Sequence, residues 1–140
     1  MEEFDDRRFG YLSDTLFLAS VAIYLVNKFV FKPATSGGFC HAYVNDMLCI
    51  SFNLPPMLWV LRIFGLRRHD GRPRTSEILG AVLAFSFVFE VWMPMLPIQS
   101  PYVYADPWDV VCYALNGLVS GVWWSIAYRS PSVRRPYQPK

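Results

Sequence analysis

The chain has 140 residues, of which 54% are hydrophobic and only 17% are charged, whereas about 25% of the residues of a soluble domain are charged. Its aromatic content of 17% excludes an intrinsically disordered chain, and a net charge of +2 argues against a nucleic-acid-binding protein. Among four apolar stretches, at 15–27, 48–61, 78–97 and 110–128, the only Asp, Glu, Lys or Arg is Glu90. The sequence therefore predicts an integral membrane protein.

Each apolar stretch lies within a predicted transmembrane helix, because about 20 apolar residues are needed to cross the hydrocarbon core. The predicted spans cover about 13–31, 42–64, 77–97 and 107–128, within a single membrane domain of residues 1–140. The second span is the weakest, since Pro55 and Pro56 interrupt its apolar run; a re-entrant segment is the alternative. We expect the basic residues 129–140 to form a mobile tail.

The distribution of basic residues predicts the orientation of this all-α, four-helix transmembrane bundle. With both termini in the cytoplasm, 11 Lys and Arg residues lie inside, and only Lys28 and Lys32 lie outside. Such a bias is the positive-inside pattern of a multi-pass protein in the inner (cytoplasmic) membrane. In the loop between the second and third spans we expect general contact with anionic lipid headgroups, a fitted phosphate site being the alternative. The arginines concerned are Arg67, Arg68, Arg72 and Arg74.

Glu90 is the most informative residue of the third span. A carboxyl group within a membrane is unfavourable if it faces lipid, so we expect it to face other helices, to bind a donor or to be protonated. Pro94 has no backbone N–H, so the carbonyl of Glu90 loses its helical partner. Glu90 is therefore a candidate acid/base or cation-binding group, with a structural hydrogen bond to a neighbouring helix as the alternative.

The fourth span carries polar residues along one face, within an arc of about 80°. They are Asp106, Asp109, Tyr113, Asn116 and Ser120. We expect this face to point into the bundle or towards a partner, because polar groups are unfavourable in lipid.

Residues at the start and in the middle of the fourth span suit helix capping and helix packing. Asp106 suits the N-cap, Pro107 the first helical position and Asp109 the third, as in a capping box. Gly117 and Gly121 form a small-xxx-small pair that lets another helix approach closely.

Further polar residues lie at the outer end of the second span. His41 and Asn45 share a helical face, and Asp46 is adjacent. Together with Glu90, Asp106 and Asp109 they predict an outward-facing polar site. We expect His41 and Asn45 to orient a polar headgroup, Tyr113 and Asn116 to supply hydrogen bonds, and Glu90 and Asp109 to share a proton or a cation. No nucleophile motif, zinc signature or phosphate loop is present in the sequence, so we expect no metal and no cofactor, and we favour a protein that is not an enzyme.

A pattern of residues in the C-terminal half resembles the VanZ-like membrane proteins. It runs from Phe89-Glu90 through Pro97 and Gln99 to Asp106-Pro107-Trp108-Asp109-Val110, and then to Asn116-Gly117 and Gly121. The resemblance covers about 89–121. It departs from the family at Val91-Trp92, where a Gln usually follows the Glu, and in the loop 98–105, which has no Arg. Residues 41–46 instead resemble small uncharacterised bacterial membrane proteins.

The VanZ-like resemblance implies a small helical protein of the bacterial cell envelope whose activity is not securely assigned. We therefore expect a protein that binds or acts on an envelope component at the outer leaflet. Two alternatives stay open. One is a small oligomeric carrier or ion pathway that uses Glu90, and the other is a structural subunit whose polar stripe pairs with another membrane protein. The expected partners are the lipid bilayer and either a second copy or a membrane protein, with no nucleic acid.

Overall fold

The computed structural model describes residues 8–34, 37–38, 43–97 and 106–129. All regular secondary structure in these ranges is helical. Helix α1 covers Thr15–Ala34, α2 covers Cys49–Ile63, α3 covers Thr75–Met95 and α4 covers Pro107–Ala127. Short 3-10 turns at Tyr11–Ser13 and Asp46–Leu48 precede α1 and α2. The all-α class is confirmed.

Three of these helices, α1, α3 and α4, are long enough and apolar enough to cross a membrane. They have 20, 21 and 21 residues, which corresponds to about 30 Å of helix each. Their surfaces expose large apolar side chains, such as Phe29 at 67%, Leu83 at 69% and Ile126 at 69%. Contiguous apolar surface of this kind is unfavourable in water and suits contact with lipid. The first, third and fourth predicted spans therefore correspond to helices that can cross a membrane, which supports the prediction of a membrane protein.

The second predicted span is wrong in its extent. A helix was expected over 42–64, but 43–45 form a turn and α2 begins only at Cys49. Its 15 residues give about 22 Å of helix, less than the roughly 30 Å of a hydrocarbon core. The physical reason lies in Asn45 and Asp46, residue types that favour turns. Both side chains bond to other helices, Asn45 to Asn27 and Asp46 to Tyr113.

Helix α2 lies at the centre of the molecule and contacts α1, α3 and α4. Its Ile50, Leu54 and Leu58 are almost completely buried, and they form a core with Ile78 of α3 and Trp124 of α4. The hydrophobic core therefore lies along α2, which is the helix least suited to face lipid.

Helices α1 and α3 each contain a five-residue π-helical segment. The first, Asn27–Phe31, begins at the buried Asn27, and the second, Val88–Trp92, contains Glu90. Segments of this kind widen the helix locally and are frequent at functional sites. Asn27 and Glu90 thus both lie in an irregular turn of their helix.

The antiparallel helices give the molecule two chemically different ends. We call one the carboxylate end, defined by Asp46, Glu90, Asp106 and Asp109. The other is the arginine end, defined by the loop 64–74. Residues near both termini meet at the arginine end, where Gly10 N–H donates to the Tyr128 hydroxyl at 3.3 Å. The two ends of the described chain therefore lie on the same side of the molecule.

Candidate functional site

The contact that organises the carboxylate end joins α3 to the start of α4. The Glu90 carboxylate accepts a hydrogen bond of 2.7 Å from the backbone N–H of Asp106. Asp106 is the N-cap of α4, and its carboxylate accepts from Trp108 N–H at 3.0 Å. In a capping box the Asp109 side chain would accept a hydrogen bond from the backbone N–H of Asp106. Glu90 accepts from this N–H instead, so the contact expected from Asp109 is not made. Glu90 also places negative charge at the positive end of the α4 dipole, which is favourable.

The segment 43–48 brings a third element to the same end. Tyr113 of α4 is 3% exposed, and its hydroxyl donates to the Asp46 carboxylate at 3.5 Å. The Tyr43 hydroxyl donates to the Asp106 carboxylate at 3.3 Å. These contacts gather carboxylates from three separate parts of the chain.

Asp109 differs from the other three carboxylates of this end. Glu90, Asp106 and Asp46 each accept a hydrogen bond from the described residues. The Asp109 carboxylate is half-buried and accepts none from them. The three ion pairs between arginines and carboxylates of the described residues, and the contact of His69 with Glu77, all lie at the arginine end. Asp109 is therefore the carboxylate that is most open to a ligand.

Asn45 and Asn116, both expected at the polar site, bind other helices. Asn45 accepts from Asn27 Nδ2 at 3.1 Å. Asn116 Oδ1 accepts from the backbone N–H of Ser51 at 2.8 Å, which satisfies one free donor at the start of α2. The Ser51 hydroxyl in turn accepts from that of Ser20 at 2.8 Å. Asn116 thus joins α4 to α2 and α1. The sequence reasoning missed Asn27, Ser20 and Ser51, although polar residues within apolar stretches were a signal.

Two further expectations concern the same end. His41, and with it any pairing with Asn45, lies outside the described residues. Within the described ranges no group of three or more His, Cys, Asp or Glu residues is placed to hold a metal ion. The described carboxylates can therefore accept hydrogen bonds or pair with a cationic group, but they do not form a ready metal site.

Gly117 and Gly121 lie where α4 meets α3. A Cβ atom on Gly117 would lie 2.8 Å from Cγ2 of Val82, and one on Gly121 would lie 3.2 Å from Cδ1 of Ile78. Both distances are too short for an undisturbed contact. The close approach of the two helices therefore depends on the missing side chains.

At the arginine end, Arg67 is held inside the protein. Its side chain is 2% exposed, and its Nε lies 2.8 Å from the Glu77 carboxylate. Its other nitrogens donate to the Tyr11 hydroxyl at 2.6 Å and to the Gly71 carbonyl at 2.9 Å. The charge of Arg67 is therefore satisfied inside the protein, and the expected contact of this loop with anionic lipid stays a prediction. Arg68 and Arg74 are exposed.

Asp70 connects the same loop to the N-terminal segment. Arg62 donates to its carboxylate at 2.7 and 3.0 Å, and Tyr11 donates at 3.0 Å. The hydrogen bonds from Arg62 lower the pKa of Asp70 to about 2. Burial and the nearby Arg67 charge lower the pKa of His69. The loop is therefore a folded part of the molecule with a neutral His69 at pH 7.

The sequence did not indicate that Asp14 joins the start of α1 to α4. It is 1% exposed and is the N-cap of α1, accepting from Phe17 N–H at 2.9 Å. It also accepts from Trp124 Nε1 at 3.0 Å and from the Tyr128 hydroxyl at 2.7 Å. Its place before an apolar run was a signal for the cap, whereas its bonds to α4 had no local signal.

Comparison with known proteins gives no relative for this chain, since no family model, no curated protein and no solved structure matches it.

Proposed function

We propose that the chain is a multi-pass protein of the bacterial inner membrane, VanZ-like over about 89–121, that binds a polar envelope component at the carboxylate end. In this proposal the helices form a transmembrane bundle, the arginine end faces the cytoplasm and the carboxylate end faces outwards. One observation carries the proposal. Four carboxylates from three parts of the chain lie at one end and form no ion pair with the described residues.

The chemistry of this end favours a particular kind of ligand. Neighbouring carboxylates that form no ion pair attract a cationic group or a headgroup rich in hydrogen-bond donors. Asp109 is the residue that would contact such a group, because its carboxylate accepts no hydrogen bond from the described residues. Glu90 would act as a positioning residue, since its bond to Asp106 N–H holds the start of α4. The ligand is therefore an envelope component with an ammonium group or several hydroxyls.

Mass spectrometry of the protein purified from its native membrane tests this proposal. Wild-type protein should carry a component with such a headgroup, and Asp109→Asn should lose it while staying folded. Glu90→Gln should weaken the binding less, because Gln still offers an oxygen to Asp106 N–H. Asp70→Asn removes a carboxylate at the other end and is the matched control. A component that Asp109→Asn retains as well as the wild type does would contradict the proposal.

The orientation is tested separately by cysteine labelling from either side of the membrane. In a background without Cys40, Cys49 and Cys112, Arg68→Cys should react only from the cytoplasm and Ala34→Cys only from outside. Both positions are exposed. The opposite pattern would reverse the orientation.

A small oligomeric carrier is the second candidate function. It is favoured by the continuation of the polar face of α4 into the core, where Ser120 is 0% exposed and its hydroxyl has no partner among the described residues. Proteoliposomes would show proton or sodium flux that Glu90→Gln abolishes. Absence of flux from wild-type protein would exclude the carrier.

A further inference from the structure

The residues before α1 bridge two other elements at the arginine end, and we call residues 9–13 the N-terminal strap. The backbone N–H of Phe9 donates to the carbonyl of Asp70, in the loop 64–74, at 2.7 Å. The Phe9 ring is 2% exposed, and its centre lies 5.8 Å from that of Trp124 in α4. The N-terminal strap therefore binds the loop on one side and packs against Trp124 on the other.

Tyr11 gives the N-terminal strap a backbone conformation that a tyrosine seldom adopts. Its φ is 47°, in the left-handed region that is uncommon for residues other than glycine. Its hydroxyl donates to the Asp70 carboxylate at 3.0 Å and accepts from Arg67 at 2.6 Å. A strained backbone persists only where the surrounding contacts impose it, and such strain is frequent at switches. Tyr11 therefore keeps this conformation only while the loop presents Arg67 and Asp70 to its hydroxyl.

The same loop contains a group that titrates near neutral pH. Nε2 of His69 lies 3.7 Å from the Glu77 carboxylate, and the other charged groups that act on this ring are Arg67, Arg74 and Asp70. Burial and the Arg67 charge lower the pKa of His69, so the folded loop disfavours the protonated ring. Protonation therefore favours an arrangement in which the ring is hydrated and farther from Arg67.

One carboxylate oxygen connects His69 to the N-terminal strap. Oε1 of Glu77 lies 2.8 Å from Nε of Arg67 and 3.7 Å from Nε2 of His69. Through Nη1, the same Arg67 donates to Tyr11. A protonated His69 would compete with Arg67 for this oxygen and would repel the guanidinium. Both effects weaken the arrangement in which Arg67 holds Tyr11.

We propose that the N-terminal strap is a pH-sensitive closure of the arginine end, which undocks when His69 is protonated while the four helices stay packed. Undocking separates Phe9 from Trp124 and Tyr11 from Arg67, so it opens a buried aromatic and cationic surface. The helices can stay packed because α2 contacts α1, α3 and α4 directly. The inference is independent of the function proposed for the carboxylate end and of the side of the membrane that the arginine end faces.

Hydrogen–deuterium exchange of the protein in detergent tests the inference at about pH 7.5 and about pH 5.5, with correction for intrinsic exchange rates. The amides of Phe9 and Gly10 should lose up to about tenfold in protection at the lower pH. This is the limit for one group whose ordinary pKa of 6.5 lies one unit above that pH. Amides in the middle of α2 and α4 should keep their protection. Asp70 stays ionised at both pH values, because hydrogen bonds from Arg62 lower its pKa to about 2.

Two variants assign the response to one residue. In His69→Gln the N-terminal strap should be equally protected at both pH values, whereas His41→Gln, at the other histidine of the chain, should keep the wild-type response. Equal protection of the wild-type strap at both pH values, a loss of protection that α2 and α4 share, or a pH response retained by His69→Gln would each overturn the inference. Should His69→Gln fail to fold, a response abolished by His41→Gln would overturn it, and a response that His41→Gln retains would support it.

Discussion

Asp14 and Trp124, which are 110 positions apart, are joined by a hydrogen bond of 3.0 Å from the indole N–H to the carboxylate. Both side chains are buried, Asp14 at 1% and Trp124 at 0% exposure. Phe9 packs edge-on against Trp124, with ring centres 5.8 Å apart. The start of α1 and the last turns of α4 are therefore held together at the arginine end by a buried carboxylate and the aromatic rings around it.

The indole N–H should contribute measurably to stability. Trp124→Phe removes the donor and leaves most of the ring packing, so the free energy of unfolding should fall by about 1–3 kcal/mol, the range for a buried charged group that loses a partner. Trp123→Phe, at a neighbouring side chain that is 46% exposed, should have little effect. Unfolding of the purified protein in detergent measures both. Equal losses in the two variants would contradict the role of this bond.

Arg67 and Arg68 should respond differently to replacement by lysine. Lysine keeps the charge but cannot reproduce the planar fork by which Arg67 binds Glu77, Tyr11 and Gly71 together. Arg67→Lys should therefore lower the free energy of unfolding by roughly 1.5–3 kcal/mol, whereas the exposed Arg68 should tolerate lysine. The same unfolding measurement decides the point, and an unchanged stability of Arg67→Lys would show that charge alone is sufficient there.

Gly117 and Gly80 offer a matched pair for helix packing. Gly117→Ala should destabilise the protein by about 1–3 kcal/mol, because overpacked cores distort and the new methyl group would lie 2.8 Å from Val82 Cγ2. At Gly80 a Cβ meets nothing within 4 Å, so Gly80→Ala should raise stability by up to about 1 kcal/mol through helix propensity. We therefore expect Gly117→Ala to lower the free energy of unfolding and Gly80→Ala to raise it. If both variants were less stable than the wild type, the contact with Val82 would not be the cause.

Asp70 should make stability depend on pH in the acid range. Its pKa is lowered from 3.8 to about 2 by Arg62. Because the folded protein binds the proton less readily, this stabilisation is fully present above about pH 4 and is lost as the pH falls towards 2. The ion pair is open to solvent, which screens it, so its contribution to stability should be small.

Unfolding measured between pH 2 and 6 in wild-type protein, Asp70→Asn and Arg62→Gln tests this dependence. Both variants should be less stable than the wild type at pH 6, and the difference should disappear near pH 2. A difference that is constant across the range would show that the pair does not cause it.

Local sequence was sufficient to predict α1, α3 and α4 as helices that can span a membrane. Their length and apolar content are properties of contiguous residues, as is the cap that Asp106 and Pro107 form at the start of α4. The spacing of polar residues on α4 also indicated an interior face, and the structure buries Tyr113 and Ser120 there.

Contacts between distant residues decided the rest, because no local pattern states which donor will meet which acceptor. Glu90 lies 16 positions from the backbone N–H that it accepts from, and that contact replaced the one expected from Asp109. Arg67 resembled its neighbouring arginines in sequence, yet Glu77 and Tyr11 draw it into the protein. The late start of α2 likewise depends on Asn27 and Tyr113, which lie on other helices. Composition and periodicity describe one segment at a time, whereas these hydrogen bonds exist only once the helices have packed.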